Sequence, residues 1–323
     1  MKQRVYIAEQ VPAFVEEYIA EHYEYEAWDK NEKIPRHVLL EKVKDAHGLL
    51  NFGAIIDEEL LQAAPQLKVV SNISVGYDNF DIEAMKKRNI IGTNTPYVLD
   101  DTVADLVFAL MLSASRRVCE LDRYVKSGKW DAEISKEHFG LDVHHQTIGI
   151  IGMGRIGEVV AKRAKFGFDM DVLYYNRSRK EKAERELDAT YCELETLLQK
   201  ADFIVLLTPL TEETYHLIGE KEFDLMKETA VFINASRGKT VDEAALIEAL
   251  QQKKIFAAGI DTFTQEPIEK DNPLLSLQNV VTLPHIGSAT LKTRQNMAMT
   301  AAKNLVAGLQ GKTPPNLVNE LKY

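Results

Sequence analysis

The segment Thr147-Ile148-Gly149-Ile150-Ile151-Gly152-Met153-Gly154-Arg155-Ile156-Gly157 constrains the fold of this chain more tightly than any other. An apolar run enters Gly152-x-Gly154-x-x-Gly157, and an amphipathic pattern leaves it from Ile156. In a strand–turn–helix unit the first glycine permits the tight turn and the second lets a pyrophosphate approach the backbone. The third allows close packing of helix on strand, while the helix N-terminus supplies N–H donors and positive potential. A strand pattern at 171–175 completes a βαβ unit. That context distinguishes a dinucleotide-phosphate loop from a bare glycine-rich turn.

The rest of the chain fits this unit. Strand-type runs at 4–8, 48–52, 67–71, 147–152, 171–175, 203–207, 230–234, 257–261 and 280–283 alternate with helical periodicity at 58–64, 156–166 and 243–251. Apolar strands bounded by helices predict an α/β fold of doubly wound parallel sheets covered on both faces. A length of 323 residues suggests about two domains. Two long helical patterns, Asp101 to Arg117 and Ser288 to Leu309, begin after Thr95-Pro96 and Pro284-His285, where proline favours a boundary. If each passes between two lobes, the first lobe takes residues from both chain ends and the middle forms the second, with a cleft between them.

The end of the second strand bears on the choice of dinucleotide. An NAD site usually places an acidic residue there to grip the adenosine ribose. Here Asn176 occupies the position, followed by Arg177, Ser178 and Arg179. A carboxylate would repel a 2′-phosphate, whereas an amide, a hydroxyl and two guanidiniums can bind one. NADP(H) is therefore the preferred cofactor, with NAD(H) as the alternative.

Three later segments share one design, an apolar strand with polar residues beyond its carboxyl end. They lead to Ala235-Ser236-Arg237-Gly238, from Asp261 to Gln265-Glu266-Pro267, and to Pro284-His285-Ile286-Gly287. Ligands of open parallel sheets collect beyond the carboxyl ends of strands, so an arginine, a carboxylate and a histidine are predicted to meet beside the cofactor. Hydride reduction of a 2-oxo acid requires these types. His285 would be the general acid, Glu266 would hydrogen-bond its other ring nitrogen and fix its orientation, and Arg237 would bind the substrate carboxylate and polarise the carbonyl.

Composition removes other classes. With 39 basic and 49 acidic side chains the net charge is −10, which argues against nucleic-acid binding, since that needs a basic surface. No signal-peptide pattern or apolar span of bilayer length is evident. Cys119 and Cys192 have no metal-like spacing, and His144-His145 lack a third ligand. The expectation is a cytoplasmic protein with no metal and no membrane partner.

Taken in order along the chain, the motifs resemble the D-isomer-specific 2-hydroxyacid dehydrogenases, and among them the bacterial glyoxylate/hydroxypyruvate/2-ketogluconate reductases. The resemblance lies in Ile73-Ser74-Val75-Gly76-Tyr77-Asp78-Asn79-Phe80-Asp81, Thr102-Val103-Ala104-Asp105, Asp142-Val143-His144-His145 with the glycine loop, Asn234 to Gly238, Asp261 with Gln265-Glu266-Pro267, and Pro284 to Thr290. It implies a Rossmann dinucleotide-binding domain at 101–288 inserted into a flavodoxin-like substrate domain made of 1–100 and 289–323.

The resemblance also implies roles that spacing alone does not show. Ser74, Val75 and Gly76 would present backbone N–H groups to the substrate carboxylate, and Thr102 would contact the cofactor near its nicotinamide. Arg155 and Ile156 would line the pyrophosphate, while Thr208, Pro209, Leu210 and Thr214 would pass the adenosine side. Ala235, Asp261, His285 and Gly287 would approach the nicotinamide, with Asp261 ordering the catalytic arginine or the cofactor amide. A homodimer is implied as well. Other readings are a phosphoglycerate or formate dehydrogenase, or a dinucleotide-sensing corepressor-like protein. The stretch from Gly311 to Tyr323 leaves no space for the regulatory domain of the longer phosphoglycerate enzymes.

Overall fold

A computed structural model describes residues 3–131 and 133–321. The chain divides between Leu99 and Asp100 and again between Ser288 and Ala289, giving two compact units. Of the chain ends assigned above to the substrate domain, Met1, Lys2, Lys322 and Tyr323 lie outside the described residues.

The first unit holds a five-stranded sheet of β1 (Arg4–Ile7), β2 (Glu24–Ala27), β3 (Gly48–Asn51), β4 (Val69–Asn72) and β5 (Ile91–Thr93). All pairings are parallel, in the order β2-β1-β3-β4-β5, which is the flavodoxin-like winding. Tyr6, Ala8, Leu49 and Val70 enter a core on one face, and the helix Leu291–Leu309 packs over β3 and β4 on the other. Gly48 permits that approach, because a Cβ there would stand 2.9 Å from Leu309 Cδ1. Asp57, Asp81 and Thr290 cap the helices they precede by accepting from backbone N–H groups.

The second unit holds β6 (Thr147–Ile151), β7 (Asp171–Tyr175), β8 (Ala189–Tyr191), β9 (Phe203–Leu206), β10 (Val231–Asn234), β11 (Ala257–Ile260) and β12 (Val280–Thr282). All are parallel, in the order β12-β11-β10-β9-β6-β7-β8. The winding reverses between β6 and β9, as in a Rossmann sheet. Successive residues feed opposite cores. Ile148, Ile150, Phe203, Val205, Val231 and Ile233 face one, while Ile151, Ile204, Leu206, Phe232 and Ile260 face the other. Each fully buried side chain of this size contributes about 1.5–3 kcal/mol relative to exposure, which is why both faces of the sheet are apolar and helix-covered.

Three strands have no counterpart in the sequence reading: β2, β5 and β8. Each lies at the edge of its sheet. β2 reads Glu-Tyr-Glu-Ala with its first three residues exposed, so it lacks the apolar run that marks a central strand. The long helix predicted from Asp101 to Arg117 runs Asp100–Ser115. Arg117 then adopts a left-handed conformation, φ 56°, and starts a separate helix at Val118–Lys126. The later helix begins at Leu291 rather than Ser288, because Thr290 caps it.

Candidate active site

The glycine loop shows three distinct uses of a missing side chain. Gly152 has φ +103°, and a Cβ there would meet the Leu207 carbonyl carbon at 2.9 Å, so the turn leaving β6 passes tightly over the end of β9. A Cβ on Gly157 would stand 2.5 Å from Gly152 O, so the helix Arg155–Phe168 presses directly onto the loop. Around Gly154 nothing lies within 4 Å of such an atom. The first helical hydrogen bond is Glu158 N–H to Gly154 O, which leaves the N–H groups of Arg155, Ile156 and Gly157 without intrahelical partners. Beside the loop, the buried Thr208 Oγ1 has no hydrogen-bond partner among the described residues. An open cradle, the N–H groups of the first helical turn and an orphaned hydroxyl fit a dinucleotide pyrophosphate. The Arg155 Nε lies 3.5 Å from the carboxylate of the buried Asp100.

Beyond β7, Asn176 Nδ2 donates to Ser178 O and shapes the turn. The two arginines there differ. Arg179 is clamped by Glu184 through hydrogen bonds of 2.6 and 3.0 Å, and Tyr174 Oη donates to the same carboxylate at 2.6 Å. Arg177 is exposed, forms no hydrogen bond or ion pair among the described residues, and acts on Glu213 through its field. Beyond β9, Thr214 Oγ1 donates to Pro209 O and accepts from Thr211 N–H, so its hydroxyl closes the turn that carries Pro209 and Leu210. Thr102 lies in the first turn of the helix Asp100–Ser115.

Arg237 is positioned by Asn234, the buried last residue of β10. Asn234 Oδ1 accepts from Ser236 N–H and Oγ at 3.0 and 2.8 Å, and its Nδ2 donates to Arg237 O at 3.1 Å. Thr240 Oγ1 donates to the same carbonyl at 2.6 Å. Gly238 then passes against the next loop so closely that a Cβ would stand 1.9 Å from the Phe263 carbonyl carbon.

That next loop carries Glu266, which meets His285 from the loop beyond β12. Glu266 Oε1 accepts from Phe263 N–H at 3.0 Å, and Oε2 lies 2.7 Å from His285 Nδ1. Burial pushes the Glu266 carboxyl up. The hydrogen bond and charge of His285, the Phe263 N–H and the field of Arg237 more than offset this, and the pKa falls below the ordinary glutamate value. His285 sits at φ 52°, a left-handed conformation that costs a side-chain-bearing residue about 1–2 kcal/mol. The grip on its neighbours sustains it. Both oxygens of the buried Asp261 are taken by backbone donors, Ile286 N–H at 2.8 Å and Gly287 N–H at 2.9 Å. Burial raises the Asp261 pKa despite these two bonds. Asp261 thus holds the histidine loop.

In the first unit, the Ser74-Val75-Gly76 segment follows β4 and is braced on all sides. Ser74 Oγ donates to Gly76 O, Asn94 Nδ2 donates to Val75 O at 2.8 Å, and Thr95 N–H donates to Ser74 O at 2.8 Å. Asn72 and Asn79 bond each other at 2.7 Å beneath it. His144 and His145 face each other with Nδ1 atoms 2.8 Å apart. No group of three or more metal-ligating side chains occurs among the described residues.

A family model described as "D-isomer specific 2-hydroxyacid dehydrogenase, NAD binding domain" matches residues 108–287. Glyoxylate/hydroxypyruvate reductase B of Yersinia pestis (strain Pestoides F) is 49% identical over 319 residues, covering 99% of this chain and 98% of that protein. The chain belongs to the D-isomer-specific 2-hydroxyacid dehydrogenase family. A protein of the same description from Enterobacter sp. (strain 638) is 50% identical over 322 residues, with 99% and 98% coverage. Two solved structures are also similar. The TT0316 protein from Thermus thermophilus has a TM-score of 0.90 at 40% identity, covering 98% of this chain and all of that one. An NADPH-dependent glyoxylate/hydroxypyruvate reductase from Sinorhizobium meliloti, in complex with NADP and malonate, has a TM-score of 0.87 at 29% identity, covering 100% and 98%.

Membership of the D-2-hydroxyacid dehydrogenase family makes the chain an oxidoreductase with a nicotinamide-dinucleotide-binding domain. Within this dehydrogenase the second unit collects the loops beyond β6, β7 and β9 to β12, and with them the predicted cofactor residues, Arg237, Glu266 and His285. Sequence reasoning missed Asn234, Thr240, Asn72 and Asn94, which hold loops through side-chain-to-backbone bonds. Asparagine as the last residue of an apolar strand was the available signal at Asn234 and Asn72.

Proposed function

We propose that this chain reduces small 2-oxo acids to D-2-hydroxy acids, taking hydride from NADPH in preference to NADH. The observation that carries the reading is the 2.7 Å contact between Glu266 Oε2 and His285 Nδ1. It fixes the imidazole by one nitrogen and leaves Nε2 as the atom to protonate the carbonyl oxygen. The nicotinamide supplies hydride when bound. Arg237, on the Asn234-braced turn, binds the substrate carboxylate and stabilises charge developing on the carbonyl oxygen. Ser74, Val75 and Gly76 complete carboxylate binding with backbone donors, as the family resemblance implies. Glyoxylate, hydroxypyruvate and 2-ketogluconate are the substrates to test first, and the names of the Yersinia and Enterobacter relatives support the first two. The two free, half-buried cysteines suit the reducing cytoplasm.

Preference for NADPH rests on the neutral Asn176 and the uncommitted Arg177 guanidinium. A charge-assisted hydrogen bond to a 2′-phosphate contributes about 1.5–3 kcal/mol. Arg177→Ala is therefore expected to lower the ratio of kcat/KM for NADPH over NADH by about tenfold or more. A wild-type enzyme that favours NADH would contradict the assignment.

We also infer a homodimer formed through the second unit. The helix Val118–Lys126 has no buried residue, and Val118, Val125, Trp130 and Phe139 are each about half exposed or more. Such apolar exposure marks an association surface. Light scattering should give twice the chain mass, with Trp130→Glu and Phe139→Glu together giving a monomer. A monomeric wild type would refute the surface.

A further inference from the structure

One acidic side chain in the first unit stands outside the machinery described so far. Glu9 lies two residues beyond β1, at the carboxyl end of the sheet where ligands of open α/β folds collect. Its side chain is partly buried, and its Oε1 is itself buried with no hydrogen-bond partner among the described residues. Burial pushes its pKa up to about 8, against the opposing field of Arg294. Arg294, in the helix Leu291–Leu309, lies 4.6 Å over the ring of Phe52, which directly follows β3 and is 42% exposed. An acid, a guanidinium and an exposed ring thus share one place at the strand ends. A buried carboxyl without a partner is costly to keep, and a ligand hydroxyl, which both donates and accepts, would satisfy it.

The register locates this place relative to the Ser74–Gly76 loop. β1, β3 and β4 are consecutive in the sheet, and neighbouring strands lie about 4.8 Å apart. Glu9 and the loop are therefore separated by two strand spacings, about 10 Å. A two-carbon acid held at the loop cannot reach Glu9, whereas the far end of a chain of about six carbons can, with hydrogen bonds of about 2.8 Å at each end.

We propose that Glu9, together with Arg294, forms a subsite that reads the tail of the 2-oxo acid and selects a hydroxylated chain over a plain alkyl chain of the same length. The inference rests on the proposed reduction of 2-oxo acids with the carboxylate held at Ser74–Gly76. Glu9 is a specificity-determining residue, and the chemistry it selects is a polyol tail. Sites built to hydrogen-bond a hydroxyl discriminate strongly against an analogue without one.

The test compares kcat/KM for 2-ketogluconate with that for 2-oxohexanoate, two six-carbon acids that differ in their tail hydroxyls, using wild type, Glu9→Gln and Glu9→Leu. The wild-type ratio should favour 2-ketogluconate by at least tenfold. Glu9→Gln, which keeps hydrogen-bonding capacity, should retain most of that preference. Glu9→Leu should lose it, with kcat/KM for 2-oxohexanoate rising, a gain that misfolding cannot produce. A wild type without preference, or a Glu9→Leu enzyme with the wild-type ratio, would overturn the subsite and leave water as the partner of the Glu9 oxygen. If wild type reduced glyoxylate and hydroxypyruvate but neither six-carbon acid, the subsite would fail while the proposed function stood. If no 2-oxo acid were reduced, the functional reading itself would fail.

Discussion

Replacing His285 with alanine is expected to lower kcat/KM for 2-oxo acid reduction by about 10²–10⁴-fold, the usual contribution of a positioned acid. The fold should survive, because the imidazole is 46% exposed and rests on the surface of its loop. Glu266→Gln should show a smaller loss, since an amide can still orient the ring but carries no charge to stabilise its protonated form. The pH behaviour follows from the depressed Glu266 pKa. A carboxyl lowered in the folded state contributes stability above its unfolded value, and that contribution disappears as pH falls through the folded one. The Glu266–His285 pair should therefore persist down to about pH 4, the ordinary glutamate range, and weaken only below it. Stopped-assay rates and thermal unfolding across the acid range check both statements. Unchanged turnover in a folded His285→Ala enzyme would remove His285 from the acid role.

Gly238→Ala carries the largest expected structural effect. An added Cβ would stand 1.9 Å from Phe263 C and 2.0 Å from Phe263 O, which are backbone atoms and cannot rotate away. The loops beyond β10 and β11 must separate. Overpacking of this kind costs about 3 kcal/mol or more, equivalent to a fall in Tm of about 6–12 °C for a unit of this size. The displacement would also reach the chemistry. Phe263 N–H is the donor to Glu266 Oε1, and Arg237 is the residue immediately before the glycine. Activity at a temperature where the variant is still folded should fall too, with a rise in KM as Arg237 moves. A Tm within about 2 °C of wild type would show that the two loops yield more easily than their contact suggests.

The central strands and the phosphate loop were legible because burial on both faces leaves a continuous apolar run, as in Ile148–Ile151 and Phe203–Leu206. Three of the four edge strands were not, since a strand such as β2 or β8 gains hydrogen bonds from one neighbour alone and can be polar, whereas the edge strand β12 keeps the apolar pair Val280-Val281. The contact of Glu266 with His285 was legible for a similar reason, since both are polar residues beyond apolar strands. The supports were harder to read. The resemblance implied that Asp261 orders Arg237 or a cofactor amide, but nothing in the sequence pointed to its bonds with Ile286 and Gly287 N–H. Such bonds depend on how a loop folds back, which periodicity does not encode. The two arginines after Asn176 looked equivalent as letters. Glu184, itself held by Tyr174 Oη, makes them different by clamping Arg179. Glu9 gave no sequence signal at all, because its isolation is a property of the packed sheet end.

Whether Arg237, Glu266 and His285 serve a reductase that turns over is decided by mixing the purified chain with NADPH and glyoxylate or hydroxypyruvate and following nicotinamide absorbance. Saturable oxidation of NADPH and stoichiometric formation of glycolate or D-glycerate are expected, with loss of both in His285→Ala. Saturable NADPH binding without turnover on any 2-oxo acid would contradict the reductase reading and favour a dinucleotide-sensing protein that keeps the fold without the reaction.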